Sequence, residues 1–287
     1  MTGVKILIQK DHYFLTVGQD IDQLLTPLKK YGIITLTFMR NYDDGHQVVL
    51  SNNSDWVEDY YHGGLCGNFL SKHPSQYHQK FLVIPNESPH LVHQLSREKY
   101  QEGNTFCLVN RFETFTEFFF FAGNVNDSML TNFCINNIDL LETFTVYFKS
   151  CGEHAIEKAE KSRLSIVSKV ENSETHSAPA LGFNDDMVKE TLRYMGIKHF
   201  KISDENVKLT RREIDCIAAC QQDLSAKETA ILLDLSFRSV EKYIETINQK
   251  LNFNDKKESL RYLIEKGFPK KILTYATYKT ENPKQKR

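Results

Sequence analysis

The chain has 287 residues, enough for two domains, and its 40% apolar content is ordinary for a globular protein. Its net charge of −1 hides an asymmetry: from Val207 onward there are 17 Lys and Arg against 11 Asp and Glu (+6), and before it 19 against 26 (−7), so only the C-terminal part suits a polyanion. No secretory apolar region follows Met1, the most apolar run, Phe118–Ala122, is far too short to span a bilayer, and six cysteines form no regular framework. The expectation is a cytoplasmic protein with reduced thiols and no membrane contact.

The chain opens on a β-prone stretch, Lys5 to Phe14. Asp20 to Tyr31 then reads as a helix, with Ile21, Leu24, Leu25 and Leu28 in helical period, Asp20 or Asp22 as cap and Pro27 as an awkward interior residue. Ile33–Met39 and Gln47–Ser51 read as strands of a hairpin across Asn41-Tyr42-Asp43-Asp44-Gly45. Ser54–Tyr61 reads as a helix capped by Ser54 and His62–His78 as loop. Phe81–Ile84 is expected as a short strand, Pro89–Glu98 as a helical turn or two, and Asn104–Val109 and Thr114–Ala122 as two further strands. Four consecutive phenylalanines, Phe118 to Phe121, point to a central strand buried on both faces. Ser128–Glu160 carries a mostly helical apolar period and predicts one long helix, with Gly152 as the place for a break or a kink.

Ser162–Leu181 is polar and weakly patterned, as a linker would be. Asn184–Met195 predicts a short helix capped by Asn184, and His199–Ile202 an extended piece. Thr210-x-x-Glu213 and Ser225-x-x-Glu228 both have capping-box form and fix two helix starts. After the short turn Asp234-Leu235-Ser236, Val240, Ile244, Ile247 and Leu251 recur at steps of 4, 3 and 4. That places them on one helical face and leaves Arg238, Glu241, Lys242 and Glu245 toward solvent. A fourth helix is expected over Asp255–Glu265, and Pro269–Arg287 reads as a solvated basic tail.

Leu209-Thr210-x-Arg212-Glu213, Leu224-Ser225-x-Lys227-Glu228-x-Ala230, Leu235-Ser236-x-x-Ser239-Val240 and Lys250-Leu251 together resemble the LuxR-type, or FixJ-type, four-helix DNA-binding domain. The resemblance implies that the helix from about Phe237 to Leu251 enters the major groove of double-stranded DNA and that the fourth helix helps form a homodimer. It implies base reading by Glu241, Lys242 and Glu245, and backbone-phosphate contacts from Thr210, Arg212, Lys227, Arg238, Ser239 and Lys250. Glu241 and Tyr243 stand where the family usually has Lys and His; a carboxylate in the groove repels phosphate but accepts from cytosine N4, so base preference is not carried over.

The N-terminal elements fit an α+β sensory fold of the PAS, GAF or autoinducer-binding kind, an antiparallel sheet flanked by helices. Trp56 and Tyr60, four apart on one helical face, resemble the W-x-x-x-Y motif of acyl-homoserine-lactone receptors, which implies ligand contact; the Asp-Pro of that pattern has no counterpart after Tyr61, and ordinary packing is the other reading. His90-x-x-His93, Cys151-x-x-His154, His62-x-x-x-Cys66 and Cys216-x-x-x-Cys220 each lack the second pair of a closed metal site and read as structural. No catalytic motif stands out, so no enzyme activity, metal or cofactor is expected.

The expected organisation is a sensory or dimerisation domain over 1–162, a linker over 163–206, an all-α four-helix DNA-binding domain with helix-turn-helix over 207–268, and a basic tail over 269–287. The function this predicts is a transcriptional regulator whose N-terminal domain senses a small molecule or a partner, RNA polymerase being a further candidate partner. The alternative is a constitutive DNA binder whose N-terminal domain only dimerises or docks proteins.

Overall fold

The computed structural model describes residues 5–66, 73–77, 80–127, 129–166, 185–202, 207–274 and 277, with backbone alone over 185–189. Most of the expected linker (167–184, including Asn184 as cap), Ser128 as a helix start, and the tail from 278 onward lie outside the described residues. In chain order the elements are α1 (Tyr13–Thr16), α2 (Gly18–Lys29), β1 (Thr35–Tyr42), β2 (His46–Ser51), α3 (Ser54–His62), β3 (Phe81–Ile84), α4 (Leu91–Tyr100), β4 (Glu102–Arg111), β5 (Phe115–Asn124), α5 (Leu130–Asn136), α6 (Ile138–Cys151), α7 (Glu153–Lys161) and β6 (Leu164–Ser165). They continue with α8 (Asp185–Tyr194), β7 (His199–Lys201), β8 (Lys208–Thr210), α9 (Arg211–Gln221), α10 (Ala226–Leu233), α11 (Phe237–Leu251) and α12 (Lys256–Glu265). Two compact units result, Met1–Asn136 with Gly152–Gly182, and Asn137–Cys151 with Phe183–Arg287; α6 therefore groups with the second unit.

The first unit is built on a sheet in the order β3-β4-β5-β1-β2-β6, antiparallel throughout. The register of β1 against β5 pairs Phe38 with Phe119, Met39 with Phe118 and Arg40 with Glu117. Strand alternation then divides the phenylalanines between two faces, Phe119 and Phe121 on one and Phe118 and Phe120 on the other. All four are buried, as the uninterrupted apolar run predicts for a central strand. Glu160 of α7 reaches Arg40 on one face, and Tyr60 of α3 reaches Gln47 on the opposite one.

Several local expectations need correction. The β-prone opening forms no strand within the described residues: it is irregular up to His12, whose side chain accepts from Phe14 N–H and caps the helical turn α1. The cap of α3 is Asn53, whose amide oxygen accepts from Trp56 N–H, and Ser54 is the first helical residue. Helix α2 begins at Gly18, earlier than Asp20, has no side-chain cap, and carries Pro27 in its last turn, where the missing N–H forfeits the bond to the Gln23 carbonyl. The long helix expected over 128–160 breaks at Gly152, one of the two outcomes expected there and the cap of α7, and also at Asn137, which the sequence did not announce. Leu164–Ser165, assigned to the linker, pairs with β2 at the sheet edge.

In the second unit both capping boxes form. Thr210 and Ser225 accept from the N–H groups of Glu213 and Glu228, whose carboxylates accept in return from the backbone N–H of each cap. Asp234 and Asn252, in left-handed conformation, end α10 and α11. The first part of the supposed tail is packed rather than solvated. Pro269, Ile272 and Leu273 are buried, and the Gln221 side chain donates to the Pro269 carbonyl and accepts from Ile272 N–H. Burial of Ile272 and Leu273, directly after Lys270 and Lys271, favours this packing.

Candidate nucleic-acid interface

The helix-turn-helix is assembled by α9, α10 and α11. Val240, Ile247 and Leu251 are buried on the inner side of α11, and Ala230 and Leu233 of α10 are buried with them. Ser236 caps α11, accepting from Ser239 N–H. This packing leaves Glu241, Lys242 and Glu245 exposed together on the outer face of the same helix. Thr210, Arg212, Lys227 and Arg238 are exposed as well, each near the start of its helix, where free N–H groups and the helix dipole favour a phosphate. Ser239 is half-buried, with its hydroxyl 2.7 Å from that of Ser236.

Lys250 is held inside the domain. Its ammonium donates to the Glu213 carboxylate at 2.8 Å and to the Lys208 carbonyl at 3.0 Å, and Glu213 is 3% exposed. The last turn of α11 is thereby tied to the capping box of α9, so the geometry assigns Lys250 a clamping role. Lys250→Met is expected to destabilise the second unit by about 1–2 kcal/mol, less than a fully buried pair because Lys250 is partly solvated. DNA affinity should fall on all sequences while its salt slope stays unchanged; a phosphate contact would instead reduce that slope by about one. Thermal melts paired with a salt titration distinguish the two.

The two N-terminal candidates come together in the first unit. Trp56 and Tyr60 stack with ring centres 5.2 Å apart, and both are buried. The indole N–H donates to Ser96 Oγ at 2.8 Å, while Tyr60 accepts from the Gln47 side chain at 3.2 Å and Tyr61 donates to Gln47 at 3.0 Å. Gln47 also donates to Asn41, its partner in the strand register. Nearby, the buried Glu102 carboxylate accepts from Thr35 and Asn53 at 2.7 Å each, and burial raises its pKa against those hydrogen bonds. Asn41, Gln47, Ser96 and Glu102 were not anticipated. Each comes from a different element and follows no motif; only the register of β1 against β2 would have paired the first two.

On α4, His93 is held neutral. Burial first, then the charges of His90 and Arg97, push its pKa down to about 3 from 6.5, and its Nδ1 lies 2.5 Å from Ser88 Oγ. Below about pH 6.5 the unfolded chain takes up this proton and the folded chain does not. Stability of the first unit should therefore fall as pH drops from about 6.5 toward 3. His93→Gln is expected to flatten that dependence, as checked by urea titrations at about pH 7.5 and about pH 5.

No group of three or more His, Cys, Asp or Glu able to hold a metal occurs among the described residues, and no helix there is long and apolar enough to cross a membrane. Cys216 and Cys220 are buried on α9, where burial pushes the Cys216 thiol up to about 12.

A capped helix, α11, that packs on α9 and α10 and turns an exposed polar stripe outward has the arrangement of a helix-turn-helix domain. Residues 207–263 match the family model for bacterial regulatory proteins of the luxR family, and this segment is a LuxR-family helix-turn-helix DNA-binding domain. Two solved structures are similar to the chain at 12% identity. One, described as SdiA in complex with octanoyl-rac-glycerol, is covered over 88% of its length by 87% of this chain with a TM-score of 0.30. The other, Escherichia coli SdiA, is covered over 95% of its length by 88% of this chain with a TM-score of 0.35. No curated protein matches the chain.

Proposed function

We propose that the chain is a sequence-specific transcriptional regulator that lays α11 in the major groove of double-stranded DNA as a homodimer, under control of its first unit. Glu241, Lys242 and Glu245 face the bases, and Thr210, Arg212, Lys227, Arg238 and Ser239 approach the phosphates. The observation that carries this reading is the exposure of those three side chains on the face of α11 opposite buried Val240, Ile247 and Leu251. Lys242→Ala is expected to weaken binding to a preferred duplex by about 1–3 kcal/mol, and Glu241→Ala to change the preferred base at one position. Parallel binding selections on the two variants test this; equal losses on every sequence in both would remove the base-reading roles.

The first unit is read as a sensor whose ligand or partner acts on DNA affinity through its differential affinity for the DNA-competent state. A small molecule reaching Trp56 would take the indole N–H from Ser96, and one reaching Tyr60 would compete with Gln47. Because the indole N–H already donates to Ser96 and the Tyr60 hydroxyl already accepts from Gln47, a second reading stands beside it: the unit only dimerises or docks proteins, RNA polymerase among them. Native mass spectrometry of the full chain separates these readings by finding either a copurified small molecule or an empty dimer.

A further inference from the structure

The helix-turn-helix leaves two large apolar side chains exposed among its described residues, Ile231 of α10 at 84% and Phe237 of α11 at 42%. Phe237 is the first residue of α11, directly after the Ser236 cap. Phe237, Glu241 and Glu245 follow one another at steps of four, which sets them in one row along the helix, and all three are exposed. Val240, Ile247 and Leu251 hold the inner face. Among the described residues the Phe237 ring stacks on no other ring. An aromatic ring therefore stands partly in water at the head of a row whose next two members are carboxylates. Covering it with an apolar group would be favourable, and its own row offers none.

The surface that this row is proposed to meet supplies one such group. Guanine, cytosine and adenine present hydrogen-bonding atoms in the major groove, and thymine alone adds a C5 methyl group. The residues of a recognition helix that reach base edges are those near its N-terminus, where Phe237 stands. We propose that Phe237 is a further specificity-determining residue, packing its ring on the C5 methyl of a thymine and so selecting that base in each half-site. The inference rests on the reading of α11 as the DNA-reading helix and adds an apolar contact to the polar ones. Glu241 lies four residues further on, about 6 Å along the helix axis, close to two base-pair steps of about 3.4 Å each. The selected thymine should therefore lie about two base pairs from the position whose preference changes in Glu241→Ala. Ile231, on α10 and outside this row, takes no part in that selection.

The test uses the full chain and a duplex that it selects from a random pool. Each thymine of the selected motif is replaced in turn by deoxyuridine, which deletes the C5 methyl and leaves base pairing intact. At one thymine per half-site the native chain is expected to lose about fourfold in affinity, the worth of one buried methyl group. Phe237→Ala should bind the thymine and deoxyuridine duplexes equally, while Phe237→Leu, which keeps a large apolar side chain, should retain most of the difference. Ile231→Ser, which removes an exposed apolar group outside the row, should discriminate as the native chain does. A selected motif in which no thymine responds, or a response as large in Phe237→Ala as in the native chain, would overturn the proposal and leave the base-reading role of α11 standing. If no motif is enriched at all, that role fails and this inference falls with it.

Discussion

Replacing Arg40 with Ala is expected to cost the first unit about 3–5 kcal/mol, the cost of stranding a buried partner charge. Arg40 is 8% exposed and bridges two carboxylates, Glu117 of β5 at 2.6 Å and Glu160 of α7 at 2.5 Å, while Tyr42 also donates to Glu160. Its guanidinium lies 4.5 Å from the centre of the Phe115 ring. Burial opposes its charge, but Glu117 and Glu160 outweigh that effect and keep it protonated. Without Arg40, Glu117 remains fully buried with its main counter-charge gone. Chemical denaturation should show the loss, with partial recovery at lower pH as the stranded carboxylate is neutralised. The double change Arg40→Met with Glu117→Leu should restore much of the stability, because hydrophobic replacement of a whole buried pair is often neutral. A single-variant loss below about 1 kcal/mol would mean that the pair is effectively solvated.

Phe119→Ala should be of similar size, about 3–5 kcal/mol. Phe119 is fully buried and packs on Phe38, its partner in the register, with ring centres 4.9 Å apart. The strand on which it sits is flanked by β4 and β1, so collapse of neighbouring backbone into the gap is restrained. Phe119→Leu, which retains most of the apolar volume, should cost much less. Equal losses for the Ala and Leu variants would mean that ring geometry outweighs volume at this position.

Legibility in the sequence followed the distance over which each signal acts. The helix-turn-helix was readable because its determinants are local: the 4-3-4 apolar spacing on α11, two reciprocal capping boxes and Ser236 at the next helix start all lie within a few residues of what they specify. The burial of Phe118 to Phe121 was readable for the same reason. Local composition misled where tertiary packing decides. The break at Asn137 has no strong helix breaker to announce it, and Ile272 and Leu273 directly follow Lys270 and Lys271, whose charge masked two core positions. Lys250 was assigned to phosphate from its motif position; its approach to Glu213 spans 37 residues and is invisible to spacing. The polar group around Trp56 and Tyr60 is scattered over β1, β2, α3 and α4 and emerges only when register and packing bring Asn41, Gln47 and Ser96 to it.

Sequence reading by α11 is the step on which the proposed regulation depends. The most direct measurement is selection of binding sites by the full chain from a randomised duplex pool, followed by affinity for the selected and scrambled duplexes across a salt series. A dimer reading DNA through α11 should give an enriched motif with two-fold symmetry, affinity that falls steeply and log-linearly with salt, and a selected site bound at least about a thousandfold more tightly than the scrambled one. An unenriched pool with equal, salt-insensitive binding to both duplexes would contradict it.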